Sequence, residues 1–214
     1  MKKIFEGVYR EGGRIYTENM VPGKRVYNEK LMEKDGIEYR SWNPYRSKMA
    51  AAILKGMKNF PIKRKSRLLY LGVASGTTAS HFSDIVTQGI IYGIEIAFKP
   101  MKNFVVLCRE RKNMVPVMAN ADKPEEYEAI VENADVIYQD IAQRNQVEIF
   151  VKNMERFDIH EGIIMVKARS IDISMEPKKV FGDVKKKMEE RYSMVEGIKL
   201  SPYARDHMAI YVKE

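Results

Sequence analysis

From Leu68 to the end, the sequence alternates between runs that suit strands and runs that suit helices, and that alternation leaves few folds open to the chain. RLLYLGV, IIYGIEI, MVPVMA, ADVIYQD and the stretch Gly162 to Lys167 are rich in β-branched, leucine and aromatic residues. Between them, TASHFSDIV, PMKNFVVLCRERK, EEYEAIV and the stretches near Asn145 to Phe157 and Pro177 to Glu190 carry helical spacing. Strands separated by helices pair in parallel, because a crossover of that length returns the chain to the same edge. MVEGIKL and HMAIYVK are close in sequence and are expected to form an antiparallel pair at one edge. The expected architecture is a mostly parallel, doubly wound sheet with one reversed strand.

The first third has another texture. KIFEGVYR, RIYTEN, KRVYNEK and IEYRSW read as short strands separated by GG, PG and DG turns. They predict a small antiparallel β subdomain over residues 1–45, followed by the main domain over 46–214. In SKMAAAILKGM, Ser47 is placed to cap a helix. Charge divides at almost the same place. The chain carries a net charge of +8. Residues 1–67 hold 17 Lys+Arg against 7 Asp+Glu, whereas residues 68–214 hold 20 against 22. A basic segment beside a near-neutral domain points to a polyanionic partner such as nucleic acid.

Several classes are excluded. A single cysteine cannot form an internal disulfide, and Cys108, within NFVVLCRE, is expected to be a packed thiol. No apolar run approaches the roughly 20 residues that span a bilayer, and MKKIFEGVYR carries charge where a signal peptide needs an apolar core. A soluble, cytoplasmic protein without a membrane partner is expected. No His, Cys, Asp and Glu spacing predicts a metal site.

The segment YLGVASGTTASH places Gly72 and Gly76 between the first strand and helix of the alternating region, where open parallel sheets bind ligands. Glycine there lets the backbone turn sharply and approach a ligand closely. The next strand ends at Glu95, whose carboxylate is positioned to accept ribose hydroxyls. Together these features predict an adenosine-containing cofactor. A dinucleotide usually brings a third close-packed glycine; here Thr77 and Thr78 stand instead. Their hydroxyls would hydrogen-bond the amino-acid end of S-adenosylmethionine while capping the helix. The threonines favour that cofactor, with a nicotinamide-dependent oxidoreductase as the alternative.

YLGVASGTTASHFSDIV, YGIEIAFKP, DVIYQDIAQRNQ, MVKARSIDIS and PYARDHMAIYV, with WNPYRSKMAAAIL upstream, resemble the fibrillarin family in order from about Tyr39 to Val212. No Gly/Arg-rich tail precedes them, as in the shorter archaeal form. The resemblance implies a Rossmann-like S-adenosylmethionine-dependent methyltransferase fold. It also implies an RNA 2′-O-methyltransferase acting on rRNA and tRNA as the catalytic subunit of a box C/D guide RNA–protein complex. A Nop-domain scaffold protein and a kink-turn-binding protein of ribosomal type are the implied protein partners. Position by position it implies that Gly72 forms the cofactor turn, that Thr77 and Thr78 meet the amino-acid end, and that Glu95 and Ile96 hold the ribose. Asn120 and Ala121 would lie by the adenine, and Asp140, Ile141, Ala142 and Gln143 would line the pocket. Asn120 departs from the family's usual Asp, and Ala168 stands where Ser is common.

The same resemblance assigns a catalytic constellation of Lys48, Asp140, Lys167 and His207. Lys167 is expected to act as base or hydroxyl-orienting group, with its position fixed by Asp140, while Lys48 and His207 orient the ribose or share the proton. All four are present, which distinguishes the chain from a non-catalytic RNA-binding relative. The basic excess adds an expectation that Arg40, Arg46, Lys48 and the Lys63 to Arg67 cluster flank this site and meet RNA phosphates.

Overall fold

A computed structural model describes residues 1–214. The chain opens with five short strands: β1 (Lys2–Phe5), β2 (Val8–Glu11), β3 (Arg14–Glu18), β4 (Leu31–Lys34) and β5 (Ile37–Ser41). They form an antiparallel sheet in the order β1-β2-β3-β5-β4. The strand expected at KRVYNEK is absent. There the Glu29 carboxylate accepts the backbone amides of Val26 at 3.0 Å and Tyr27 at 2.8 Å, so the donors a ladder would need are spent on a turn. Pairing starts at Leu31 instead. Helix α1 (Lys48–Leu54) follows, and the Ser47 side chain accepts from the Ala50 amide as its cap.

The remainder alternates as the sequence predicts. It comprises β6 (Arg67–Leu71), α2 (Thr77–Ile85), β7 (Ile90–Ile94), α3 (Phe98–Glu110), β8 (Met114–Val117), β9 (Val136–Gln139), α4 (Gln146–Arg156), β10 (Glu161–Lys167), α5 (Ala168–Ile171), α6 (Pro177–Glu189), β11 (Met194–Lys199) and β12 (His207–Lys213). The seven strands β6 to β12 lie in the order β11-β12-β10-β9-β6-β7-β8, and β12 alone runs against the others. This is a Rossmann-like arrangement with its order reversing between β6 and β9. The helix expected at EEYEAIV is replaced by a single 3₁₀ turn, Pro124–Glu126, and further tight turns. The buried Tyr127 hydroxyl instead donates to Ala121 O at 3.2 Å, and also lies against the Asn153 amide oxygen.

Alternation along each parallel strand builds two cores. Leu68 and Tyr70 face one side with Phe82 of α2 and Phe104 of α3; Leu69 and Leu71 face the other with Phe150 of α4 and Val184 of α6. Val8, Ile15 and Trp42 of the amino-terminal segment join the first of these cores. Cys108 packs there too, and burial pushes its thiol up to about 12, so the thiol is inert.

A buried polar network fastens the antiparallel sheet to α2. Asp84 accepts Arg40 at 2.8 Å and Thr17 at 2.7 Å on one oxygen, and Arg111 at 2.6 Å and the Met20 amide at 3.1 Å on the other. Arg40 also pairs with Glu29 at 2.6 Å. Arg40 is therefore not the RNA-facing cation the charge distribution suggested: its side chain is 0% exposed and its donors are consumed inside the fold. His81 completes the network, stacked on Trp42 at 4.9 Å between ring centroids and bonded to Thr17 and Tyr27. Thr17 donates its one proton to Asp84, so it accepts from His81 Nδ1, and Nε2 accepts from Tyr27.

Two measurements test this junction. Arg40→Ala leaves Asp84 and Glu29 buried with one fewer cation and should cost about 3–5 kcal/mol in urea unfolding. Burial, reinforced by Arg40 and Arg111, lowers the His81 pKa well below its usual value. The unfolded chain thus holds the extra proton at mildly acid pH, and the stability from the neutral ring, complete above about pH 6.5, is lost as pH falls toward the folded pKa. His81→Gln should flatten that acid slope; an unchanged slope would place it on other groups.

Candidate active site

The carboxyl ends of β6, β7, β8 and β9 enclose a cleft of about 230 Å³, lined by Gly72, Glu95, Ile96, Asn120, Ala121 and the run Asp140 to Gln143. Ala74, Ile94 and Ala119 complete the wall. They carry no polar side-chain signal and could have been found only from their places beside the strand ends. Gly72 is required here twice over. Its φ is 76°, and a Cβ would lie 2.6 Å from Asp140 O, so any side chain would push the β6 and β9 ends apart. Glu95 accepts the Ala74 amide at 3.0 Å on one oxygen and the Ala97 amide at 2.8 Å on the other. Each oxygen keeps a lone pair for a ligand hydroxyl.

Thr77 and Thr78 depart from the expected picture. Neither caps α2: the cap is Gly76, at φ 86°, with no side-chain bond. Thr78 is buried and donates to Ser47 Oγ at 3.0 Å, which ties the start of α2 to the start of α1. Neither threonine lines the cleft. Asn120 uses its side-chain oxygen to accept the Asp122 amide at 3.0 Å. That bond leaves Nδ2, a donor, as the free end of the side chain.

Lys48, Asp140, Lys167 and His207 arrive on four different elements and gather at one side of this cleft. Lys48 opens α1, Asp140 follows β9, Lys167 ends β10 and His207 begins β12 directly opposite it in register. The Lys48 ammonium sits 2.7 and 2.9 Å from the two Asp140 oxygens, so Asp140 fixes Lys48 rather than the expected Lys167. His207 Nδ1 lies 2.6 Å from Arg205 O. A carbonyl only accepts, so Nδ1 carries the proton and the Nε2 lone pair is free. Burial lowers the His207 pKa; Lys48 and Lys167 lower it further, against the Arg205 carbonyl and Asp140. The ring is therefore neutral at neutral pH.

The basic cluster at Lys63 to Arg67 lies elsewhere. Arg67 begins β6, whose five residues separate it from Gly72 by roughly 16 Å at ~3.3 Å each. The cluster thus occupies the amino edge of the sheet, opposite the cleft, and Arg67 is spent on Tyr92 and Glu132. Arg46 is exposed and stands 6.0 Å over the Tyr27 ring, two residues from Lys48. Arg144 and Arg205, from the near-neutral remainder of the chain, are exposed at the carboxyl edge; Arg169 is exposed there too but pairs with Asp206 at 3.4 Å.

A fibrillarin family model matches residues 1–214. A fibrillarin-like rRNA/tRNA 2′-O-methyltransferase of Thermococcus sibiricus is 48% identical over 221 residues, covering 100% of this chain and 98% of its own. Among solved structures, Aeropyrum pernix fibrillarin with natively bound S-adenosyl-L-methionine is 44% identical, with a TM-score of 0.83 over 93% of this chain and 88% of that one. The fibrillarin of a fibrillarin/Nop5p complex is 45% identical, with a TM-score of 0.90 over 98% of both chains.

Gly72→Ala places a methyl group against the Asp140 carbonyl and forces a side chain into the left-handed region. Strain and overpacking together should lower stability in urea unfolding by about 1–3 kcal/mol. An unchanged midpoint would mean that β6 and β9 are not held at this spacing.

Proposed function

The chain belongs to the fibrillarin family, and from that membership we propose that it is the catalytic subunit of a box C/D guide RNA–protein complex, acting in pre-rRNA and tRNA processing at sites chosen by the guide. Its reaction is transfer of a methyl group from S-adenosylmethionine to ribose 2′-hydroxyls of rRNA and tRNA. The proposed assembly includes a Nop-domain scaffold, the partner supported by the relative seen with Nop5p, and a kink-turn-binding protein of ribosomal type. No helix is long and apolar enough to cross a membrane. The proposed division of labour gives residues 46–214 the chemistry and residues 1–45 a supporting subdomain.

The residues of the cleft fit the cofactor. Gly72 keeps open a space that any Cβ would fill, and Glu95 keeps lone pairs for the ribose. Asn120 and Ala121, which line the cleft, are assigned to the adenine, and Ile96, Ile141, Ala142 and Gln143 to the walls around the cofactor. Thr77 and Thr78 would act through the backbone at the start of α2, whose free amides favour a carboxylate. When bound, S-adenosylmethionine supplies a methyl group already activated by its sulfonium.

The observation that carries the reading is the convergence of Lys48, Asp140, Lys167 and His207 beside that cleft. A ribose hydroxyl is a weak nucleophile, so the protein must align it and remove its proton. Alignment supplies on the order of 7–11 kcal/mol in favourable intramolecular cases. Lys48, clamped by Asp140, is a fixed cation for the acceptor nucleotide. Lys167 orients the hydroxyl from the facing strand end. His207 takes the proton on Nε2, because its Nδ1 is occupied and its ring stays neutral. This gives the base role, first expected of Lys167, to the residue paired opposite it.

A neutral His207 requires methyl transfer to fall on the acid side, below about pH 6.5, and to level off above it. In single-turnover assays with guide, scaffold and target RNA, His207→Asn should lower the rate by roughly 10²–10⁴-fold and abolish that acid limb. S-adenosylhomocysteine affinity should be unchanged by calorimetry. A variant that keeps both the rate and the acid limb would return the proton to Lys167.

A further inference from the structure

A second cavity, of about 530 Å³, shares no lining residue with the cofactor cleft, yet it adjoins the catalytic groups through the chain itself. Tyr45, three residues before Lys48, and Tyr203, four before His207, both line it. Their ring centroids are 5.1 Å apart at an interplanar angle of 74°, so the two rings form a corner. Tyr45 is 68% exposed, an unusual degree for a large aromatic residue without a packing role. Trp42 forms part of the wall; its buried Nε1 has no hydrogen-bond partner in the protein.

The rim is cationic. Arg14 and Lys30 are exposed and pair with no carboxylate in the chain. Glu29, which also lines the cavity, is neutralised by Arg40 and by the Val26 and Tyr27 amides. Asn43 binds the Tyr45 amide through its oxygen and keeps its Nδ2 free as a donor. An aromatic corner, two unpaired cations and an amide donor match the chemistry of one nucleotide: a π-face, a phosphate and a base edge. A peptide would need a larger apolar wall or acidic groups of its own to gain as much.

We propose that this cavity is a nucleotide subsite on the acceptor side of the catalytic groups, taking one unpaired nucleobase of the RNA against Tyr45 and Tyr203 and its phosphate on Arg14 and Lys30. The proposal rests on the RNA methyl-transfer reading and adds the place where the RNA is gripped. Gripping a base here ties the strand to the segments that carry Lys48 and His207, so binding energy far from the reacting atoms helps hold the ribose in place.

The chain's single tryptophan, Trp42, lies in the cavity wall and makes the test direct. The full chain, saturated with S-adenosylhomocysteine so that the cofactor cleft is closed to nucleotides, is titrated with octauridylate. A second titration uses an eight-unit ribose phosphate of equal charge without bases. Octauridylate should change Trp42 emission saturably and bind at least about tenfold more tightly than the baseless strand. Tyr45→Ala combined with Tyr203→Ala should remove most of that preference. Arg14→Gln with Lys30→Gln should instead weaken both strands and flatten their salt dependence. Unchanged S-adenosylhomocysteine affinity would show that the variants fold. Equal affinity for the two strands, or no effect of the tyrosine pair, would overturn the subsite. If guided methyl transfer by the wild-type complex persists in that case, only the subsite fails; its absence would instead overturn the RNA reading on which the proposal rests.

Discussion

Asp84 holds the molecule together at the point where its two sheets meet. Four donors from β3, the β3–β4 connection, β5 and the end of α3 fill its two oxygens, and two of those donors are guanidinium groups that water does not reach. A carboxylate placed there without Arg40 and Arg111 would be too costly to bury, and either arginine without Asp84 would be equally so. The group is stable only when complete, and completion fixes the antiparallel sheet against α2. From that junction the chain leaves β5, passes Trp42 and enters α1 at Lys48. Attachment of the amino-terminal sheet and delivery of Lys48 to Asp140 are therefore parts of one constraint.

The two halves of the site come from different kinds of structure. The cleft follows from the parallel sheet: where the chain leaves the adjacent strands β6 and β9 toward opposite faces, Gly72 and the Asp140 run form its floor, and the ends of β7 and β8 close it. Such a crevice arises wherever the strand order reverses in a doubly wound sheet. The groups gathered beside the cleft need additions to that plan. Lys48 comes from a helix that precedes the sheet, and His207 from the one reversed strand, which brings its first residue beside the last residue of β10. A parallel strand in that position would present its amino end at the far edge. The reversal is thus a condition for having His207 and Lys167 together.

Much of this was legible in the sequence because period-two alternation and strand–helix rhythm are local properties. The strand–helix alternation of the parallel sheet, the antiparallel end pair, the glycine turn and the strand end before Glu95 all follow from runs of a dozen residues or fewer, although KIFEGVYR, read as one strand, turns at Gly7 into the two strands β1 and β2. What was illegible depended on distant partners. KRVYNEK has strand composition, but Glu29 finds its own turn amides and Arg40, so no ladder forms. EEYEAIV has helical composition, yet the Tyr127 hydroxyl is drawn to Ala121 and Asn153 across a core. Thr78 has a capping residue's chemistry, but Ser47, thirty-one positions away, takes its proton. In each case a polar side chain with a good local option found a buried partner that the sequence does not place next to it.

Net charge needed the same correction. A surplus in the first third suggested a basic face on that segment, yet a count of lysines and arginines treats Arg40 and Arg46 alike. One is enclosed by carboxylates and contributes nothing to the outside field beyond cancelling them; the other stands in water beside an aromatic ring. Lys63, Arg64 and Lys65 are exposed but lie at the amino edge, away from the cleft, whereas Arg144 and Arg205, drawn from the near-neutral remainder, are exposed at the carboxyl edge. Interactions between exposed charges fade over roughly 8 Å at physiological salt. Only cations close to a bound polyanion therefore act on it, and the field that matters is set by where the fold places each basic residue rather than by where they cluster along the chain.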